Sequence, residues 1–164
     1  MKTLFSRSLF RLAFLSLLLT GLASCGSPPE QKDDQMQTLV IEISASADVN
    51  PDLEARPSPV ILHMLELRAV DEFNRADYFT LMQVETSSLG GDVLNKTEIV
   101  LTPGTSREAR LELNPNTAFL GFVAGYRDID NSRWRISQVI VPGQTGRLSV
   151  TLDKHQILIS EINN

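Results

Sequence analysis

The stretch Leu39-Val40-Ile41-Glu42-Ile43-Ser44-Ala45-Ser46 decides the fold class. Leu39, Ile41, Ile43 and Ala45 alternate with Val40, Glu42, Ser44 and Ser46, and a period of two is that of a β-strand with one buried face. The period recurs downstream. Around the Pro103-Gly104 turn, which reads as a hairpin, Ile99 and Leu101 share one face of the first arm, and Ala109, Leu111 and Leu113 alternate with Glu108, Arg110 and Glu112 on the return. Near the C-terminus Leu148, Val150 and Leu152 alternate with Arg147, Ser149, Thr151 and Asp153. Three segments, 60–67, 118–126 and 157–162, are apolar on both faces, as expected of strands near the middle of a sandwich. Residues 134–141 complete a set of about eight strands, separated by turn-forming clusters at Asn114-Pro115-Asn116, 128–132, Pro142-Gly143 and Gly146. Only 70–83 breaks the pattern, where Phe73, Asp77, Tyr78, Leu81 and Met82 suit one or two short helical turns or, equally, an irregular crossover packed by its aromatics. The expected architecture is all-β: an antiparallel β-sandwich with a small helical insertion after the second strand.

Composition is consistent with one core and a short appendage, at 164 residues, 42% hydrophobic and 21% charged. Nine glycines and eight prolines are near average, which excludes collagenous and wholly disordered chains. Three of the seven phenylalanines, Phe5, Phe10 and Phe14, fall in the first fourteen residues, so the core must be mainly aliphatic.

Those first residues have their own logic. Lys2, Arg7 and Arg11 precede an apolar run from Leu12 to Leu22, the pattern of a secretory signal peptide. The run is about 11 residues, where a permanent membrane span takes roughly 20. It ends in Leu22-Ala23-Ser24-Cys25, which resembles the bacterial lipobox, and Cys25 is the only cysteine in the chain, so it has no internal disulfide to make. The resemblance implies that Cys25 becomes the first mature residue and carries a diacylglyceryl thioether and an amide-linked acyl chain. Each buried CH₂ contributes about 0.8 kcal/mol, so two or three chains anchor durably where one does not. Gly26 stands where an aspartate would mean retention in the inner membrane, which favours delivery to the outer membrane. Loss of residues 1–24 takes three of the 15 basic residues and none of the 20 acidic ones, leaving 12 against 20 and a balance of −8. Such a surface is a poor match for nucleic acid. Residues 26–37, GSPPEQKDDQMQ, have no apolar period and read as a tether. The expected division is a signal peptide at 1–24, a lipidated flexible tether at 25–38 and a β-sandwich at 39–164.

One connection is too long for a tight turn. Between the first two strands lie residues 47–59, thirteen residues where a hairpin uses about two to five. Long loops on rigid sandwiches are common binding devices. Pro51, Pro57 and Pro59 limit the entropy lost on docking, while Leu53, Arg56, Asp48, Asp52 and Glu54 offer an apolar contact and charge complementarity. The competing reading is a loop that simply caps the end of the sandwich.

Catalytic patterns are missing from the sequence. The two histidines are His63, inside a strand, and His155, in the last turn, and His63 reads as a structural residue. No Gly-x-Ser-x-Gly elbow or phosphate-binding Gly-x-x-x-x-Gly-Lys is present. Asp128-Ile129-Asp130-Asn131 resembles the start of a calcium loop, but Arg133 stands where an EF-hand needs glycine and Val139 where it needs glutamate, so a solvated turn is expected. Asn95-Lys96-Thr97 has the form of a glycosylation sequon that a bacterial lipoprotein has little use for. Neither a metal nor a cofactor is expected, apart from the covalent lipid on Cys25.

A specific resemblance emerges from the ordered set of features. Lipobox, tether, Asn50-Pro51-Asp52, and Arg56-Pro57-Ser58-Pro59-Val60 leading into a strand that ends Glu66-Leu67 are similar to the outer-membrane lipoprotein of type VI secretion systems, the TssJ (VasD/SciN) family. The similarity continues through Phe73, Ala76-Asp77-Tyr78-Phe79, Leu89-Gly90-Gly91-Asp92, Pro103-Gly104, Gly121-Phe122-Val123-Ala124-Gly125-Tyr126-Arg127-Asp128 and Trp134-Arg135, covering about 39–160. Leu65 and His63 depart from the family's pattern. The resemblance implies a transthyretin-like sandwich and a non-enzymatic role: holding the envelope-spanning complex to the outer membrane, domain facing the periplasm, by binding the periplasmic C-terminal region of TssM and through it the TssL-containing membrane complex. The family's docking loop maps onto 47–58, which makes Asp48, Asn50, Pro51, Asp52, Leu53, Glu54, Ala55, Arg56 and Pro57 the expected partner-binding residues. Two other classes are weighed against it. An envelope lipoprotein that binds a small ligand or assists another assembly would show an apolar, ligand-sized cavity. A transthyretin-like hydroxyisourate hydrolase would need clustered histidines and a Tyr-Arg-Gly-Ser terminus, whereas this chain ends Ile162-Asn163-Asn164.

Overall fold

Residues 37–84, 89–141, 143 and 146–162 are described by the computed structural model; the expected signal peptide, Cys25 and the tether as far as residue 36 lie outside the described residues. Eight strands alternate with few helical elements: β1 (Gln37–Ala45), β2 (Val60–Leu67), α1 (Asp71–Arg75), α2 (Tyr78–Met82), a 3₁₀ turn at Leu89–Gly91, β3 (Val93–Leu101), β4 (Ser106–Leu113), β5 (Phe119–Ala124), β6 (Arg135–Val139), β7 (Arg147–Leu152) and β8 (Ile157–Glu161). They form two four-stranded sheets, ordered β4-β1-β7-β8 and β3-β2-β5-β6. β1 therefore begins inside the last two residues assigned to the tether.

The alternation in β1 does what its pattern requires. Leu39, Ile41 and Ile43 are fully buried and Ala45 nearly so, while Glu42 faces solvent. They pack with Leu148, Val150 and Leu152 of β7 against Leu62 and Met64 of β2 and Leu120 and Phe122 of β5, an almost wholly aliphatic core between the sheets. At one end of this core the buried Glu66 carboxylate accepts bonds from Asn95 Nδ2 (3.0 Å), the Asn114 amide (2.8 Å) and Thr117 Oγ1 (2.8 Å), so neither of its oxygens is buried without a donor.

Three expectations need correction. The Pro103-Gly104 turn does not close a hairpin: β3 pairs with β2 in one sheet, and β4 pairs with β1 in the other. Both sheets bury one face, so a period of two tells which side of a strand is buried but not which sheet it joins. The turn crosses the sandwich and is held to the end of β1, with Gly104 N donating to the carbonyls of Ala45 and Ser46 at 3.1 Å and Thr105 O accepting from Ala45 N at 2.9 Å. Second, the sandwich is not antiparallel throughout, since β1 and β7 run parallel. Third, the segment at 157–162 is an edge strand rather than a central one: β8 pairs only with β7, and Leu158 is 45% exposed.

The other two doubly apolar segments are central. β2 and β5 lie between neighbours in the second sheet, and their outer face is covered by the helical insertion. Leu65 and Leu67 of β2 and Val123 of β5 pack there with Phe73, Leu81, Val84 and Val93. Helices of five residues have no stability of their own, so they depend on this contact. Gly121 makes the contact possible, since a Cβ there would stand 2.7 Å from the Phe73 ring. Arg135 of β6 donates from Nη1 to the carbonyls of Phe73 (2.9 Å) and Ala76 (2.7 Å), closing the end of α1, and stacks its guanidinium over Trp134. Asp77 caps α2 by accepting from Thr80 N (2.9 Å) and Thr80 Oγ1 (2.7 Å).

Candidate partner-binding site

β1 runs nine residues from Gln37 to Ala45. At about 3.3 Å per residue that is roughly 30 Å, so the β1–β2 loop sits at the opposite end of the sandwich from the point where the chain enters it. Three other connections gather at the loop's end. The β3–β4 turn bonds to Ala45 and Ser46, the β5–β6 loop meets Asn50 through the Arg127 amide, and the β7–β8 turn meets it through the Lys154 carbonyl.

Fourteen residues, 46–59, separate β1 from β2, and they are built in two parts. The base is apolar and clamped. Val49 is fully buried, its carbonyl accepts from Ser58 N (3.1 Å), and its amide donates to Ser46 O (3.2 Å). Asn50 is 3% exposed and adopts φ 50°, a left-handed conformation that asparagine tolerates better than most residues. Its side chain spends both ends on the scaffold: Nδ2 donates to Pro59 O (2.8 Å) and Oδ1 accepts from Arg127 N (2.8 Å), while its own amide donates to Lys154 O (3.2 Å). Asn50 is among the residues expected to bind the partner; its side-chain bonds to Pro59 and Arg127 also give it the role of positioning the loop.

The tip is closed by Asp52. Its Oδ1 accepts from the amides of Glu54 (2.9 Å) and Arg56 (3.0 Å), its Oδ2 from Arg56 Nε (2.8 Å), and its carbonyl from Ala55 N (2.9 Å). The Arg56 amide is the main cause holding the Asp52 carboxyl below its ordinary range, helped by the Arg56 side chain and the Glu54 amide and opposed by partial desolvation. Arg56 also reaches Glu54 Oε2 at 2.8 Å, and Ala55 takes a left-handed φ of 61° to turn the chain. What this arrangement projects is Leu53, fully exposed at the apex. Pro57 and Asp48 are exposed as well, Asp48 accepting from Ser46 Oγ (2.8 Å), and Pro51 is half-buried.

The tip forms one wall of an open groove of about 850 Å³ whose other walls are Arg127, Asp128 and Asn131 of the β5–β6 loop and Lys154 and His155 of the β7–β8 turn. That these residues share a groove with the loop is not readable from the sequence, because nothing in it marks which turns share an end of a sandwich. The groove is charge-lined and open, unlike the apolar cavity a small-ligand carrier would show.

The remaining chemical candidates fall into structural roles. Asp128 accepts from the Asn131 amide (3.3 Å) and its side-chain nitrogen (3.0 Å), a polar turn, and among the described residues no group of acidic, histidine or cysteine side chains has metal-site geometry. His63 is 2% exposed beneath α2, and Nε2 lies 3.0 Å from Glu98 Oε2. Its Nδ1 has no hydrogen-bond partner among the described residues, and burial lowers its pKa. Of the described residues, none belongs to a helix long and apolar enough to cross a membrane.

Comparison with known proteins follows the geometry. The profile of the family described as type VI secretion lipoprotein, VasD, EvfM, TssJ, matches residues 37–155. Among solved structures, the type VI secretion lipoprotein TssJ1 from Pseudomonas aeruginosa is 37% identical, with a TM-score of 0.73 over 78% of this chain and 98% of its own. Serratia marcescens Lip, described as a membrane-bound component of the type VI secretion system, is 22% identical with a TM-score of 0.69 over 78% and 99%. A chain in a structure described as the TssM C-terminal domain from EAEC is 21% identical with a TM-score of 0.65 over 77% and 99%. At those identities the last two show the fold alone. No curated protein matches the chain.

Proposed function

Because the chain belongs to the type VI secretion lipoprotein family (TssJ/VasD), we propose that it anchors the secretion system's membrane complex to the outer membrane, holding the membrane through acylated Cys25 and the complex through the β1–β2 loop. The observation that carries this reading is the loop itself. It lies a strand's length from the point where the tether joins the domain, it is held rigid by Asn50 and Asp52, and it offers Leu53 to solvent. Rigid presentation lowers the ordering cost of association, so an exposed leucine on such a tip can contribute its full burial to binding. The partner is the periplasmic C-terminal region of TssM, and through it the TssL-containing complex. The role is structural and not enzymatic: the lipid bears load on one side and the loop on the other.

Two measurements test it. Cys25→Ser is expected to leave the fold intact and move the protein from the outer-membrane fraction to the soluble periplasm; retention in the membrane fraction would refute the anchor. Charge and proline substitutions across 50–57 are expected to weaken binding of the TssM region in a titration, and an unchanged affinity across that series would remove the loop from the interface.

A further inference from the structure

The groove beside the loop has an uneven distribution of satisfied and unsatisfied charge. Its carboxylates are engaged from within the chain: Asp52 and Glu54 by Arg56, Asp128 by Asn131. Its remaining cations are not. Arg127 and Lys154 are both exposed, and among the described residues neither side chain has an acceptor. Asp130, an exposed carboxylate of the same loop as Arg127, does not line the groove. The groove's three cations, Arg56, Arg127 and Lys154, balance its three carboxylates, Asp52, Glu54 and Asp128, so in a mature chain whose formal balance is −8 it is a locally neutral patch that carries two cations with no carboxylate partner.

Their backbones are also fixed by one residue. Asn50 accepts from the Arg127 amide through Oδ1 and donates from its own amide to the Lys154 carbonyl, so the loop that carries Leu53 and the two turns that carry the cations are held in one frame. Resting on the function proposed above, we infer that docking uses this whole groove: it receives an extended, acidic segment of the partner, whose carboxylates pair with Arg127 and Lys154 while an apolar side chain meets Leu53. Rim charges of this kind act mainly on association rate and salt dependence, and the apolar contact on residence time.

The test is a titration of the periplasmic C-terminal region of TssM from the same genome against the full acylated chain in detergent micelles, at about 50 mM and about 300 mM salt. Three forms are compared: the unaltered chain, the double reversal Arg127→Glu with Lys154→Glu, and Leu53→Asp. Both reversed side chains are exposed, and an unchanged thermal midpoint confirms that the reversal leaves the fold alone. The double reversal is expected to weaken binding about tenfold or more at low salt and to flatten the salt dependence, with affinity recovered when carboxylates in an acidic segment of the TssM region are replaced by lysine. If the reversal changes neither affinity nor salt dependence while Leu53→Asp weakens binding, the loop docks without the groove and the inference falls while the proposed function stands. If no form binds, or all three bind alike, the docking part of the proposed function falls and the inference falls with it.

Discussion

Strand β2 is flanked by two long connections that solve opposite problems. The one before it, residues 46–59, buries Val49 at its base, closes its tip with hydrogen bonds among its own polar groups and leaves its leucine in water. The one after it, residues 68–92, buries Phe73, Leu81 and Val84 on the sheet and keeps Arg68, Asp71, Glu72, Arg75 and Asp77 exposed. Apolar burial is what stabilises a fold, so the insertion belongs to the domain's stability. A loop tip that stays closed without that burial keeps its apolar surface for something else. The comparison teaches where to look for binding: at the tip, which is ordered for no gain in the core.

The largest effect that separates the two should come from Phe73→Ala. The ring fills the space over Gly121 and beside Leu67, and removal of a buried phenylalanine costs about 3–5 kcal/mol. Urea unfolding should show that loss, while the folded fraction still binds the TssM region normally. A matching fall in affinity would mean that the insertion is part of the interface and that the contrast between the two connections is false.

Next in size is Asn50→Ala, which removes two side-chain bonds and places alanine at φ 50°. The expected cost is about 1–3 kcal/mol in stability, with weakened binding because the tip and the two neighbouring turns lose their common anchor. Asn50→Gly should relieve the backbone strain but not restore the bonds, and so should recover stability only in part. Equal stability of the alanine and glycine forms would show that the left-handed backbone contributes nothing.

The sequence made some of this contrast legible and hid the rest for physical reasons. The period of two in Leu39–Ala45 named the buried face of β1 correctly, and Phe73, Tyr78, Leu81 and Met82 marked the helical insertion. The length of the β1–β2 loop and its Leu53 were visible too. Sheet membership was not, because β3 and β4 each bury one face in different sheets. The apolar run at 157–162 overstated burial because an edge strand can carry an exposed leucine without consequence. Asn50 was legible as a residue of the docking loop but not as its anchor, because that role depends on Pro59, Arg127 and Lys154, far apart in sequence. Gly121 is a case where a signal existed: a glycine inside an apolar strand marks close approach by another group, here the Phe73 ring.

A third prediction sharpens the loop side alone. Leu53→Ala removes a side chain that touches water on all sides, so stability should stay within about 0.5 kcal/mol of the unaltered chain. Binding of the TssM region should weaken about tenfold, as befits an apolar anchor that becomes buried only on association. A stability loss comparable to that of Asn50→Ala would mean that Leu53 packs within the domain in solution.

The smallest separation is by pH, through one titratable group in the strand beneath the insertion and one in the loop. His63 lies under α2, with the Glu98 carboxylate and the Lys96 ammonium on β3 as the charged groups facing it and apolar Leu81 and Val123 on the helix and on β5. Burial first, then Lys96, holds its pKa below the usual 6.5, against the opposing pull of Glu98. Below pH 6.5 the unfolded chain therefore binds a proton that the folded chain resists, so stability is full above 6.5 and declines as the pH falls through the folded value. Asp52, depressed below 3.8, keeps the loop tip closed until the solution is far more acidic. Between pH 7 and about 5, denaturation midpoints should fall in the unaltered chain and fall less in His63→Gln, while amide exchange at Glu54 and Arg56 stays constant in both. If those loop amides loosen in step with the insertion, the two connections share one opening equilibrium, and the division between a stabilising insertion and an independently ordered docking loop does not hold.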